Sequence, residues 1–289
     1  MMSPELLEKY YKQACEIELR AFKPGNVSIY ADGHEMTVAD FRRSAEVSAA
    51  PLCNPLYCLG EKIYYAVKAT REAVGCNTNL GIILLCAPLI EAASLLSSDA
   101  SLRQALHTVL VNTSVIDAQW AFKAIALASP GGLGQAARHD VHDSAAITLT
   151  QAMQLASNKD RLALQYLTDY KDIFDFALLT YYNAMDKWGS RDWAAVAVYV
   201  DLLRHFPDSH IVRKYGNQHC EMVAVKMALL YEELSRSESP DNLLPLLHSI
   251  DSELKSKGVN PGTTADLTVA TVLTVFLQES TGSAYHEFV

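Results

Sequence analysis

Glycine and proline are scarce, 13 and 10 in 289 residues, and the apolar–polar alternation of a half-buried strand is almost nowhere to be found. A sandwich or barrel built of short strands and tight turns is therefore excluded. Positive charge is also short: 24 Lys and Arg against 33 Asp and Glu give a formal charge of −9. That balance excludes a general binder of nucleic-acid backbone or of anionic membrane, though not of an anionic small molecule at a local basic patch, with Mg²⁺. Only 20% of residues are charged while 50% are hydrophobic, which excludes a disordered chain. No basic region precedes an apolar one at the start. Met1 to Tyr11 reads as a capped amphipathic helix, so no secretory leader is expected. The longest apolar run, 80–96, carries Pro88 and Glu91 and makes a poor membrane span. A cytoplasmic protein is expected. The six cysteines show no repeated CxxC spacing and read as mostly buried free thiols.

What the chain has is a 3.6-residue apolar period from end to end. It predicts an all-α fold in a single domain spanning 1–289, with helices near 3–21, 37–50, 56–74, 79–97, 100–112, 114–128, 142–157, 159–168, 171–187, 190–206, 209–236, 240–256 and 264–279. Thr37 with Asp40 forms the signature of a capping box, and Gly75, Gly189 and Gly258 mark stops. The segments 80–96 and 267–277 are apolar nearly all round, which makes them the two central helices.

Candidate chemistry sits where helices meet irregular segments. Asp208 to Gly216 opens a helix with Asp208 as N-cap and His210, Arg213 and Lys214 on one face, an unusual place for cations unless an anion is bound. Lys23-Pro24-Gly25 is followed by Asp32, His34 and Glu35 around Gly33, which by itself reads first as a solvated polar turn and otherwise as a set for metal binding or acid–base work. Asn77, Thr78 and Asn79 stand between Gly75 and Gly81 at the mouth of a buried helix, an anion or base platform as well as a cap. Pro130 to Gln135, with Arg138 and the doublets His139-Asp140 and His142-Asp143, reads as a surface turn, a backbone approach to phosphate, or a weak sign of a metal-dependent phosphohydrolase. Asn260 to Asp266 combines a Pro261-Gly262 turn with Thr263, Thr264 and an acid in the first turn of a helix. Asp266 is there either a structural N-terminal acid or a group for Mg²⁺ or a sugar hydroxyl.

In that order, Lys23-Pro-Gly, Gly33-His-x-Met, Asn77-Thr-x-x-Gly, Asp208-Ser-His-Ile-x-Arg-Lys-x-Gly and Pro261-Gly-Thr-Thr-Ala-Asp-Leu, the chain resembles the triphosphoribosyl-dephospho-CoA synthase family from about residue 14 to 272. Members of that family are all-α enzymes that join ATP to dephospho-CoA and release adenine, making the precursor of the prosthetic group of citrate lyase and malonate decarboxylase carrier proteins. Three departures stand out: Glu35 replaces an Asp, Asn79-Leu80 replaces a His-Lys pair, and Thr263-Thr264 replaces Gly-Ser. The variant motifs resemble a divergent branch of methanogens and methylotrophs that use tetrahydromethanopterin.

The resemblance implies a transferase acting on ATP or a related nucleotide and on dephospho-CoA or another cofactor precursor, with Mg²⁺ and with the acceptor changed toward one-carbon cofactor biosynthesis. It implies Lys23, Gly25, Arg213 and Lys214 at the triphosphate, with Gly262, Thr263 and Thr264 in a phosphate-binding turn. Asn77, Thr78 and Asn79 would hold adenine or ribose, Asp208 and Asp266 the metal or the sugar, and His34, Glu35, Asp208 and His210 would do the catalytic work. A non-catalytic nucleotide or cofactor-precursor binding protein is the competing class, together with the phosphohydrolase. The apolar composition also allows homodimerisation through a helix face.

Overall fold

The helical period is realised along the chain. The computed structural model describes residues 2–33, 35–97, 100–130 and 145–281. Among them are fourteen α-helices and no strand, only two isolated bridges in the loop after the first helix. The helices are α1 (Pro4–Arg20), α2 (Val38–Leu52), α3 (Leu59–Val74), α4 (Leu80–Leu95), α5 (Leu102–Val111), α6 (Val115–Ala128), α7 (Leu149–Ala156), α8 (Arg161–Leu167), α9 (Leu178–Trp188), α10 (Arg191–His205), α11 (Ser209–Tyr215), α12 (Cys220–Arg236), α13 (Leu244–Ser256) and α14 (Gly262–Thr281).

Local chemistry sets most of the ends. The expected capping box forms: the Asp40 N–H donates to Thr37 Oγ1 at 3.3 Å and the Thr37 N–H to Asp40 Oδ2 at 2.8 Å. Two expected boundaries move. The helix expected over 142–157 begins at Leu149, because Thr148 and Gln151 make another capping box that starts a helix there. The helix expected over 209–236 is two. α11 ends at Gly216, whose φ of 60° and ψ of −148° are avoided by residues with a Cβ, and a 3₁₀ turn leads on to α12.

α4 packs on α14, and α14 in turn on α1 and α10. Every residue from Ile82 to Ile90 is buried, as is every one from Leu267 to Gln278. Central helices must satisfy their polar groups internally. In α14, Thr268, Thr271 and Thr274 each donate a hydroxyl to the carbonyl four residues back, at 2.8–2.9 Å. In α4, Pro88 brings no N–H for the Leu84 carbonyl. A buried phenol fills that gap: Tyr166 donates to Leu84 O at 2.6 Å, and a second, Tyr170, donates to the neighbouring Leu85 O at 3.0 Å. The same bonds pin α8 and the turn after it onto α4, which places a wall of the cavity described below. Buried side chains from α1 to α14 form one continuous core. All six cysteines are free thiols, with Cys15, Cys53 and Cys86 buried and Cys58 exposed. No described helix is long and apolar enough to cross a membrane.

Candidate active site

Burying α4 and α14 side by side brings their N-terminal turns to one place, and a cavity of about 1060 Å³ opens there. α6 and α7 line it with Phe122, Ile125, Leu149 and Met153, so one wall is apolar. The rest is polar, built from the mouths of α4 and α14, from α11, and from the connection between α7 and α8. Candidate stretches far apart in the sequence supply lining: Asn26 and Met36, Asn77 to Gly81, Pro130, His210 with Arg213, and Gly262, Thr263 and Asp266.

At the α4 mouth the three polar residues divide the work. Asn77 is the cap, its Oδ1 accepting from the Leu80 N–H at 3.1 Å. Thr78 donates its hydroxyl to Ser44 Oγ at 2.6 Å, and Asn79 donates from Nδ2 to Ser48 Oγ at 3.3 Å. Opposite lies Asp266, whose carboxyl sits against the Cα of Gly81 so closely that a Cβ on Gly81 would overlap it. Burial pushes the Asp266 pKa well above the usual carboxylate range. The neighbouring charges of Asp208, Glu18 and Asp160 push the same way, and Arg213 opposes them. Gly81→Ala should therefore displace the Asp266 carboxyl and lower turnover at least about tenfold with the thermal midpoint within a few degrees of wild type. Unchanged turnover in that variant would mean that the position of Asp266 does not matter.

α11 contributes through the first two of its three basic residues. His210 lies over the α14 start, where a Cβ on Gly262 would come within 3.2 Å of Nδ1. Arg213 pairs with Asp160 at 3.3 Å. Lys214 is exposed, its ammonium over the Tyr215 ring at 5.1 Å, and it is not part of the lining. A helix of two turns cannot aim all three residues at one ligand.

Several expected ligands are structural. Asp208 is 3% exposed and lies outside this cavity. Its Oδ1 accepts from the N–H groups of His210 and Ile211 at 2.8 and 3.1 Å, and its Oδ2 from the N–H and hydroxyl of Thr264 at 2.7 and 2.8 Å. One carboxylate thus caps α11 and α14 together, and both Asp208 and Thr264 are consumed in doing so. Burial raises the Asp208 pKa against the pull of those hydrogen bonds. Lys23 is wholly buried, donating to the carbonyls of Glu18, Val27 and Ala21 at 2.6, 2.9 and 3.3 Å and paired with Glu18 at 3.1 Å. Its ammonium has no donor left for a phosphate. Gly25, at φ 85°, packs its Cα toward Pro261 and gives its N–H to Asp251 at 2.8 Å. Glu35 is exposed in a turn at φ 62° and away from the cavity. His34 lies outside the described residues, as do Gly131 to Asp143 with Arg138 and the His-Asp doublets.

The donor set does not fit a resident Mg²⁺. Asp208 has no oxygen to spare, Asp160 is committed to Arg213, and among the described residues no three His, Cys, Asp or Glu side chains gather as metal ligands.

Other lining residues carry weak sequence signals. Glu18 reaches the cavity from the buried face of α1, while Asn26 donates to Asn260 at 2.8 Å and ties two separated loops together. Lys159 and Asp160 sit in the polar run 157–161 between α7 and α8. That run, short and rich in hydrogen-bonding side chains between two helices, was the available clue.

The fold is all-helical, and its deep cavity is polar at one side and apolar at the other. The chain belongs to the ATP:dephospho-CoA triphosphoribosyl transferase family, whose sequence model matches residues 4–284. A crystal structure from Archaeoglobus fulgidus, provisionally described as a triphosphoribosyl-dephospho-CoA synthase, is similar at a TM-score of 0.61 and 22% identity, covering 83% of this chain and 98% of that one. At that identity the likeness shows the fold. No curated protein matches the chain. The family uses ATP and dephospho-CoA as substrates.

Proposed function

We propose that the cavity binds ATP as its magnesium complex and transfers the triphosphoribosyl group from ribose C1 to the hydroxyl of an acceptor, releasing adenine. The observation that carries this reading is Asp266, a partly buried carboxyl lining the cavity with no hydrogen bond from the described residues, in the electrostatic field of Arg213. The C1–N9 bond breaks as the new C1–O bond forms. Asp266 gives its proton to the departing adenine, His210 takes the proton of the acceptor hydroxyl, and Arg213 meets triphosphate charge.

The acceptor in this reading is not dephospho-CoA. Where the family has His-Lys, Asn79 and Leu80 line the cavity. Two charge-assisted contacts, each about 1.5–3 kcal/mol, are absent toward an anionic acceptor. A hydroxyl-bearing intermediate of a tetrahydromethanopterin-type one-carbon cofactor is the acceptor class the divergent motifs favour. Incubation with ATP and Mg²⁺ should release free adenine with such an intermediate and little with dephospho-CoA. Full-rate release with dephospho-CoA would reverse the acceptor assignment, and phosphate release without adenine would sink ribosyl transfer altogether.

A further inference from the structure

Behind the α4 mouth runs a chain of buried hydroxyls whose protons can be counted. Ser44 and Ser48, on α2, are both 0% exposed. Ser44 donates its only hydroxyl proton to Asp40 O at 2.6 Å, and Ser48 donates its own to Ser44 O at 2.6 Å. Neither serine has a proton left, so every other partner of theirs must be a donor. At Ser48 Oγ those partners are the Tyr11 hydroxyl at 3.0 Å and the Asn79 side chain at 3.3 Å. The amide of Asn79 is therefore held with its NH₂ toward the core.

The consequence lies at the cavity surface. Asn79 is 4% exposed and lines the cavity, and its Oδ1 meets no donor among the described residues, yet is not sealed in the core. Two residues earlier the polarity is opposite. Asn77 spends its Oδ1 on the Leu80 N–H, which leaves its NH₂ as the group it can offer a ligand. The α4 mouth thus offers one acceptor and one donor. No cation stands among these residues, and the carboxyls of Glu18 and Asp266 border them, so the triphosphate finds its counter-charge elsewhere, at Arg213 on α11.

The geometry points to Asn79 and Asn77 as the reader of the nucleotide base, selecting a 6-amino purine over a 6-oxo purine because Ser48 fixes the Asn79 amide. A 6-amino purine has an N–H donor at position 6 and an acceptor at N1, matching Asn79 Oδ1 and the Asn77 NH₂. A 6-oxo purine reverses both, and a site that leaves a buried polar group facing a like group rejects the ligand strongly. Asn77 and Asn79 touch the base, and Ser48 is a positioning residue.

This rests on the nucleotide reading above, and calorimetry with ATP and with inosine triphosphate, in Mg²⁺ and without acceptor, separates the two. Wild type should bind ATP at least about tenfold tighter. Ser48→Ala, which lets the amide turn over, should bring the ratio to about 1–3. Tyr11→Phe removes the other donor to the same oxygen and should keep the wild-type ratio, an outcome that a merely structural role for this cluster does not give. Equal binding of both nucleotides by wild type overturns base reading while leaving nucleotide binding in place. A Ser48→Ala protein with the wild-type ratio overturns the positioning role. Binding of neither nucleotide removes the nucleotide reading and this inference with it.

Discussion

Replacing Asp266 with Asn is expected to abolish adenine release while making the folded protein more stable at neutral pH. The amide fills the same space beside Gly81 but has no acidic proton to give, and loss of a positioned general acid costs about 10²–10⁴-fold in rate. The stability change follows from linkage. Burial, then the charges of Asp208, Glu18 and Asp160, hold the Asp266 pKa well above its ordinary value, so the folded protein keeps a proton that the unfolded chain has released. Such a group contributes its stability fully below the unfolded pKa of about 4, and the contribution is lost as pH rises through the folded one. Thermal midpoints of wild type and Asp266→Asn should therefore converge toward acid pH and separate toward pH 8, with the variant higher. Wild-type turnover should fall on the alkaline side as the same proton leaves. A variant that still releases adenine, or a midpoint difference independent of pH, would take Asp266 out of the acid role.

Asp208→Ala should cost about 3–5 kcal/mol of stability, because four donors on two helices lose their acceptor at once: the N–H groups of His210, Ile211 and Thr264 and the Thr264 hydroxyl. In a chain of this size the thermal midpoint should drop by roughly 10 °C. Asp208→Asn should fare little better, since its NH₂ must face one of the two donor sets. Activity should fall through displacement of His210 and the α14 start, and a ligand-stabilised sample should recover part of it. An Asp208→Ala protein with the wild-type midpoint and no turnover would instead make Asp208 a catalytic residue.

How far the site could be read in advance differs residue by residue. Asn77, Asn79, His210, Arg213 and Asp266 were singled out from sequence and line the cavity. All but Arg213, which lies in the last turn of α11, stand at or near a helix start, where local rules already say that side chains face free backbone groups. Lys23 and Asp208 were equally conspicuous, yet the first is spent on three carbonyls and Glu18, the second on two helix starts. A charged residue in a motif looks the same whether its partner is a ligand or the protein's own backbone, and only the count of filled hydrogen-bond positions separates the two. Glu18 carries no mark within its own helix, and Asp160 shows only as part of the short polar run before α8; both matter through what lies across the cavity.

The sequence by itself determined the all-α class, the two central helices and most helix starts, since a 3.6-residue period and a capping side chain act over one or two turns. It also placed the chain in its family. Tertiary structure decided which polar groups remain for a ligand. Whether Asp266 faces the cavity without a hydrogen-bond partner, whether Asn79 shows its oxygen or its NH₂, and whether Asp208 has a lone pair to spare depend on atoms brought together from residues 11, 44, 48, 81 and 264, far apart along the chain. No local pattern encodes those distances; they follow from burying α4 against α14.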